Sequence, residues 1–202
     1  MNIKSRILGK RLSLQDIMDL HSEHPELTVE RNATGSLVLE EPAGFYSGSQ
    51  NADLTSQLQS WNRKYIRGLI ADSSAGFLLP NGALRSPDVS WVSAERLSTL
   101  TEAELTGYPP LVPDFVIELR SPSDRLADLQ EKMLEYQSVG VRLGWLIDPI
   151  EECCYVYRET GQAEKVIGFD RKLSGEHVLE GFELELQRLL EIKRFSNNRC
   201  KN

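Results

Sequence analysis

The chain has 202 residues, of which 40% are hydrophobic and 26% are charged, and its formal net charge is −7. The hydrophobic content argues against a disordered chain, and no apolar run is long enough to cross a bilayer, which argues against a membrane protein. The negative charge argues against a protein that coats nucleic acid by bulk electrostatics. The three cysteines, of which Cys153 and Cys154 are adjacent, match neither a disulfide framework nor a zinc site. With no evident signal peptide, we expect a single cytoplasmic domain over residues 1–202.

The N-terminal third of the chain predicts a short helix, a β-hairpin and a long helix. Apolar spacing after the candidate cap Ser13 predicts the short helix at residues 12–21. Strand-like runs at 27–31 and 35–40 flank an Asn-Ala-Thr-Gly segment that is typical of a tight turn. Glu30 lies on the first of these strands, and the simplest interpretation directs it to solvent. Helical periodicity then runs over residues 49–67.

A proline fixes one aspartate in the next pair of strands. Residues 76–80 and 83–92 have the pattern of strands around a Pro-Asn-Gly turn. Pro87 cannot donate to a strand ladder and holds its neighbour extended, so the side chain of Asp88 is aimed rather than mobile. Asp88 therefore either caps a local turn through its own side chain or serves a site.

Charged residues interrupt an apolar strand over residues 114–120. Alternation places Phe115, Ile117 and Leu119 on one face, and Glu118 and Arg120 on the other. An ionised carboxylate in an apolar setting costs several kcal/mol unless a cation, a metal or strong donors compensate it. Glu118 therefore belongs either to a surface pair with Arg120 at a sheet edge or to a functional site.

A second long helix follows this strand and carries a lysine beside its apolar stripe. Ser123 or Asp124 is the candidate cap, and the stripe extends to about residue 139. Lys132 reaches either an acidic pocket or solvent, where Asp128 or Glu135 are its helical neighbours.

The strand at 143–149 is expected to be parallel to the strand at 114–120, because the second long helix connects them. The remaining predicted elements are a brief helix at 101–104, strands at 154–158, 165–169 and 182–186, a helix at 188–194 and a frayed tail after about 195.

Asp88, Glu118 and Lys132 lie on consecutive predicted elements. Two carboxylates on neighbouring strands are the hard oxygen ligands that Mg²⁺ prefers. A bound cation stabilises charge on a phosphate oxygen and acidifies water, and a nearby lysine orients the nucleophile or stabilises the transition state. The three residues therefore predict a site for phosphodiester hydrolysis.

The same residues resemble a known family. Pro87-Asp88 followed by Glu118-Leu119-Arg120 is similar to the signature of the PD-(D/E)XK nuclease superfamily. A longer stretch that begins at Val116 is similar to the bacterial branch named putative restriction endonucleases. The similarity continues through Ser-Pro-Ser, the helix around Lys132 and a Trp-Leu-Ile-Asp-Pro segment. The resemblance covers residues from about 12 to about 190. It implies an α/β fold with a restriction-endonuclease-like mixed central sheet flanked by helices, and an N-terminal β-hairpin.

The resemblance also implies roles for individual residues. Asp88 and Glu118 become metal ligands for Mg²⁺, with Mn²⁺ as a substitute, and Glu30 becomes an additional ligand. Arg120 occupies the position at which the superfamily usually has a lysine. Because an arginine is always protonated, Arg120 cannot act as a base, and its implied role is to clamp a phosphate. Lys132 on the following helix would replace the missing lysine. Tyr136 is the second candidate for substrate contact, since Lys132 to Tyr136 is similar to a helix motif of some members.

The function implied by the resemblance is that of a metal-dependent DNA endonuclease. A homodimer is a further expectation, because cutting both strands of a duplex calls for two sites. The alternative is a non-catalytic module with the same fold that binds or regulates a protein partner, since folds are often reused.

Overall fold

A six-stranded mixed sheet lies at the centre of the protein. The computed structural model describes residues 12–24, 28–40 and 43–197. In spatial order the strands of the central sheet are β10 (Glu164–Ile167), β9 (Cys153–Arg158), β8 (Leu143–Asp148), β7 (Phe115–Leu119), β6 (Val89–Ser93) and β3 (Gly68–Asp72). β7 and β8 are parallel, and the other neighbouring pairs are antiparallel. The predicted mixed sheet and its parallel pair are confirmed.

A smaller antiparallel sheet contains the predicted N-terminal hairpin. Its strands in spatial order are β2 (Leu37–Glu40), β1 (Thr28–Arg31), β5 (Leu84–Arg85) and β4 (Phe77–Leu78). The hairpin turn is stabilised by Asn32, whose side chain accepts a hydrogen bond from the backbone of Ser36. Two further strands, β11 (Lys172–Ser174) and β12 (Glu183–Glu185), form a separate pair.

Helices cover both faces of the central sheet. In chain order they are α1 (Leu14–Glu23), α2 (Phe45–Tyr65), α3 (Ala94–Leu97), α4 (Glu102–Leu105), α5 (Leu126–Ser138) and α6 (Gln187–Asn197). Ser13 caps α1 as predicted, and Thr101 caps α4. The predicted cap of α5 is wrong, because Asp124 accepts from the backbone of Ser121 in a preceding turn. Within the described ranges, no helix combines the length and apolar character needed to cross a bilayer.

The run predicted as one strand at residues 83–92 divides between the two sheets. β5 belongs to the small sheet and β6 to the central one. The break falls at Ser86-Pro87-Asp88, where the proline cannot continue a ladder. Asp88 therefore lies where the chain passes from one sheet to the other. β3, β11 and α3 were not among the predicted elements, and the tail beyond residue 197 lies outside the described residues.

The two faces of β7 pack against different helices. Phe115, Ile117 and Leu119 belong to the hydrophobic core that includes Leu54, Leu58 and Trp61 of α2. Val116 faces the other way and belongs to the core that includes Met133 and Tyr136 of α5. This confirms the predicted alternation. Glu118, two residues after Val116, therefore lies on the α5 side of the sheet.

Replacing Gly68 by alanine is expected to destabilise the protein by about 1–3 kcal/mol, because overpacking displaces neighbouring groups. A Cβ at Gly68 would overlap the carbonyl oxygen of Val92 and lie 2.8 Å from Nε1 of Trp91. The matched control is Gly48→Ala in α2, where nothing lies within 4 Å of the added carbon and the helix gains about 0.5–1 kcal/mol. Urea unfolding of both variants measures the difference, and an unchanged midpoint for Gly68→Ala would contradict the packing of β3 on β6.

Candidate active site

Lys132 lies between two glutamates. Its Nζ is 2.8 Å from Oε1 of Glu118 and 2.9 Å from Oε1 of Glu30, and its side chain is only 8% exposed. α5 places this lysine on the helix face that meets the central sheet, next to the buried Met133. The predicted acidic pocket is therefore observed, and the alternative of a solvent-facing lysine is wrong.

Glu118 is buried at the end of β7. Its Oε1 accepts a hydrogen bond from the hydroxyl of Tyr136 at 3.0 Å, in addition to its contact with Lys132. Burial raises the pKa of Glu118 to about 8, against the opposing charge of Lys132, and the charges on Asp88 and Glu30 act in the same direction as burial. A further cation beside Glu118 would therefore favour its ionised form.

Asp88 is the partly exposed carboxylate of the site. Its Oδ2 accepts from the backbone N–H of Leu119 at 2.7 Å, which places it beside Glu118 at the end of β7. Its Oδ1 accepts from Nδ2 of Asn51 at 2.7 Å. These long-range contacts replace the local turn cap that was the alternative for this residue. Burial raises the pKa of Asp88, although the hydrogen bond from Leu119 and the charge of Lys132 oppose the rise.

Asn51 is not among the candidate site residues predicted from the sequence. It lies in α2, one turn before the buried Leu54, and its Oδ1 is buried with no hydrogen-bond partner among the residues that the structure describes. The sequence signal for Asn51 is its position one turn before Leu54, which places its amide on the inward, apolar face of the helix. Together with Asp88 and Glu118, Asn51 adds an uncharged oxygen to two carboxylates, a donor set of the kind that Mg²⁺ prefers.

The charges of the cluster also fit a divalent cation. Lys132 contacts Glu30 and Glu118 and its charge also acts on Asp88, while Arg85 pairs with both Glu30 and Glu135. With four carboxylates and two cationic side chains, this cluster carries two excess negative charges when every group is ionised. Excess charge in a buried site is costly unless a cation balances it. The residues present therefore fit a divalent ion held by Asp88 and Glu118.

Glu30 is fully buried, so the interpretation that directed it to solvent is wrong. Its Oε1 accepts from the backbone of Ser86 at 2.6 Å and contacts Lys132, while its Oε2 lies 3.0 Å from Nη1 of Arg85. Burial raises the pKa of Glu30, but the charges of Lys132 and Arg85 outweigh burial and leave that pKa below its ordinary value. Among the described residues, no group of three or more acidic, histidine or cysteine side chains is arranged to hold a metal ion, so Glu30 does not join Asp88 and Glu118 in such a cluster.

The two candidates for substrate contact lie in different settings. Arg120 does not pair with Glu118 but donates from Nη1 to Oδ2 of Asp148 at 2.7 Å, and it stays partly exposed at the end of β7. Its Nε is buried without a hydrogen-bond partner in the described part of the chain. Tyr136 is almost completely buried, and its hydroxyl is directed at Glu118. The structure thus makes Tyr136 a support for Glu118 and gives it no surface for a substrate.

Comparison with known proteins supports a nuclease. The model of the family Uma2, described as putative restriction endonuclease, matches residues 14–187. A crystal structure of a putative nuclease belonging to DUF820 from Anabaena variabilis has the same fold, with a TM-score of 0.73 and 20% sequence identity over 90% of this chain and 98% of that chain. No curated protein matches the chain. The family match covers most of the chain and agrees with the PD-(D/E)XK resemblance, so the chain belongs to the Uma2 family of putative restriction endonucleases.

Proposed function

We propose that the protein is a divalent-cation-dependent endonuclease that hydrolyses phosphodiester bonds in DNA. The observation that carries the proposal is the meeting of Asp88 and Glu118 at the end of β7, with the ammonium of Lys132 2.8 Å from Glu118. Two carboxylates and a lysine on rigid elements are the groups that this hydrolysis uses. The family match supports the same activity class.

Each residue has a distinct task in the proposed reaction. Asp88 and Glu118 would hold Mg²⁺ or Mn²⁺, which when bound supplies positive charge for the phosphate and acidifies water. Lys132 presents its ammonium to the same space, where it stabilises the negative charge that develops on the phosphate oxygens. Arg120 is partly exposed two residues beyond Glu118, and the part of its guanidinium that is neither buried nor paired with Asp148 would contact a neighbouring phosphate.

Cleavage of supercoiled plasmid in Mg²⁺ or Mn²⁺ tests the proposal. We expect nicking by the wild type and a loss of about 10²-fold or more in Asp88→Asn, because a bound cation contributes several kcal/mol of transition-state stabilisation. The matched control is Asp128→Asn, since Asp128 is an exposed aspartate on α5. Equal cleavage rates for the wild type and Asp88→Asn would contradict a role of this site in the reaction.

One observation favours the alternative of a non-catalytic module that binds a protein partner. Lys132 already neutralises part of the negative charge of Glu118 and Glu30, so part of the acidic cluster is balanced by the chain itself. Calorimetry separates the two functions: heat on titrating Mn²⁺ into the wild type, absent in Asp88→Asn, supports the endonuclease. A non-catalytic module would give no heat on titration with Mn²⁺, and its Glu118→Ala variant would still bind the protein partner.

A further inference from the structure

We propose that Glu30 and Arg85 of the small sheet are positioning residues that hold Lys132 in place for the reaction, which makes the N-terminal hairpin part of the working site. The inference rests on the proposed function, because it assigns these two residues to the reaction at the same centre. Neither residue needs to touch the substrate. Both act through the lysine.

The ion pairs form a chain of alternating charge that begins and ends on α5. Lys132 of α5 contacts Glu30 of β1 at 2.9 Å, and Glu30 contacts Arg85 of β5 at 3.0 Å. Arg85 then contacts Glu135 of α5 through its Nε at 2.6 Å. Lys132 and Glu135 lie one helical turn apart, so two points on α5 are joined through the small sheet. This closed path fixes the helix against the sheet at the position of the lysine.

Glu30 is held firmly enough to serve as an anchor. Besides Lys132 and Arg85, it accepts the backbone N–H of Ser86 at 2.6 Å, and it has no exposed surface. Glu135, at the other end of the ion-pair path, is held as well, because its Oε1 accepts hydrogen bonds from the backbone N–H of Ala33 at 3.1 Å and from Nδ2 of Asn81 at 3.2 Å. Ala33 lies in the turn of the hairpin, so the hairpin contacts both ends of the path.

A lysine needs such an anchor because its side chain is long and flexible. A single contact with Glu118 leaves the ammonium free to rotate about that carboxylate, and when the carboxylate engages a metal that contact weakens. The second contact, to Glu30, defines the direction from which the ammonium approaches. Misplacement of a catalytic group by about 1 Å can cost about 10²-fold in rate even when the substrate still binds.

The test compares Glu30→Gln and Arg85→Gln with Arg31→Gln. Arg31 is the neighbour of Glu30 on β1, but it donates to the backbone carbonyls of Leu12 and Gly82, so it anchors the hairpin without entering the ion-pair path. We expect a fall in kcat of at least about tenfold in Glu30→Gln and Arg85→Gln, with KM changed less than about twofold. Arg31→Gln should keep the wild-type kcat even where its thermal stability falls. If Glu30 and Arg85 act through one path, the double variant loses no more than the worse single variant.

A second readout does not depend on activity. An NMR spectrum of the lysine ammonium groups shows sharp signals only for those shielded from exchange with water, and Lys132→Arg assigns the signal of Lys132. We expect this signal in the wild type and in Arg31→Gln, and its loss in Glu30→Gln. If Glu30→Gln does not fold, Arg85→Gln applies the same test one contact further along the path.

The two readouts also separate this inference from the proposed function. A wild type that shows the Lys132 signal but cleaves no DNA contradicts the endonuclease and leaves the held lysine confirmed. A Lys132 signal that is missing in the wild type, or unchanged in both Glu30→Gln and Arg85→Gln, overturns the positioning role. A change confined to KM overturns it as well.

Discussion

Replacing Lys132 by methionine is expected to lower the rate of DNA cleavage by about 10²–10³-fold and to lower the free energy of unfolding by about 3–5 kcal/mol. The lysine is the shared partner of Glu118 and Glu30, and both carboxylates are buried. Methionine keeps most of the aliphatic volume but leaves both carboxylates without this cation. The loss falls mainly on Glu30, which is ionised at neutral pH and keeps only Arg85 as a cationic partner, whereas Glu118 can take up a proton. A buried charge that loses its compensation is costly.

Cleavage assays and urea unfolding at neutral pH measure the two effects. Lys172→Met is the matched control, because Lys172 is an exposed lysine that pairs with Glu183 and Glu185 on the surface. It should change neither rate nor stability appreciably, since exposed ion pairs contribute little. A Lys132→Met protein as stable as the wild type would contradict the buried network.

The stability of the metal-free protein is expected to fall as the pH rises from about 4.5 to about 8, the interval between the ordinary pKa of Glu118 and its raised value in the fold. Below this interval Glu118 is protonated in both the folded and unfolded states. Within it the unfolded state releases the proton first, so the folded state binds more protons and loses stability with rising pH. The slope for one such group approaches about 1.4 kcal/mol per pH unit.

Glu118→Gln isolates this effect. The glutamine retains an acceptor for Lys132 and Tyr136 but cannot ionise, so the difference in pH dependence between the two proteins reports Glu118 alone. Adding Mg²⁺ should stabilise the wild type more at pH 8 than at pH 5, because the ion binds the carboxylate form, and should do little for Glu118→Gln. Urea unfolding at several pH values gives both slopes, and parallel curves for the two proteins would contradict the raised pKa.

Local patterns were enough to predict the central residues of the site. The strand around Glu118, the proline before Asp88 and the apolar stripe beside Lys132 are each readable over a few positions. The parallel crossover from β7 through α5 to β8 then places the strand of Glu118 against the helix of Lys132. The roles of Asp88, Glu118 and Lys132 in metal binding and catalysis stay predictions. Their proximity is what the structure adds.

The partners of these residues could not be predicted in the same way. Glu30 meets Arg85, which is 55 positions away in the chain, and Arg120 meets Asp148, which is 28 positions away. No local spacing rule selects such pairs, because they depend on how the small sheet packs against α5. A lone glutamate on a short strand is more often exposed than buried. The run at 83–92 shows the same limit: Pro87 marks a break in the strand, but the assignment of the two halves to different sheets is decided by tertiary packing.

The most direct test of the site is the position of a manganese ion in crystals soaked in Mn²⁺, located by its anomalous scattering. The ion is expected between the carboxylates of Asp88 and Glu118, at the distances of about 2.0–2.2 Å that small divalent ions make with oxygen ligands, and it should be absent in Asp88→Asn. A protein that cleaves DNA in Mn²⁺ while its crystals show the ion elsewhere, or bound at this position equally in Asp88→Asn, would contradict the site proposed for the reaction.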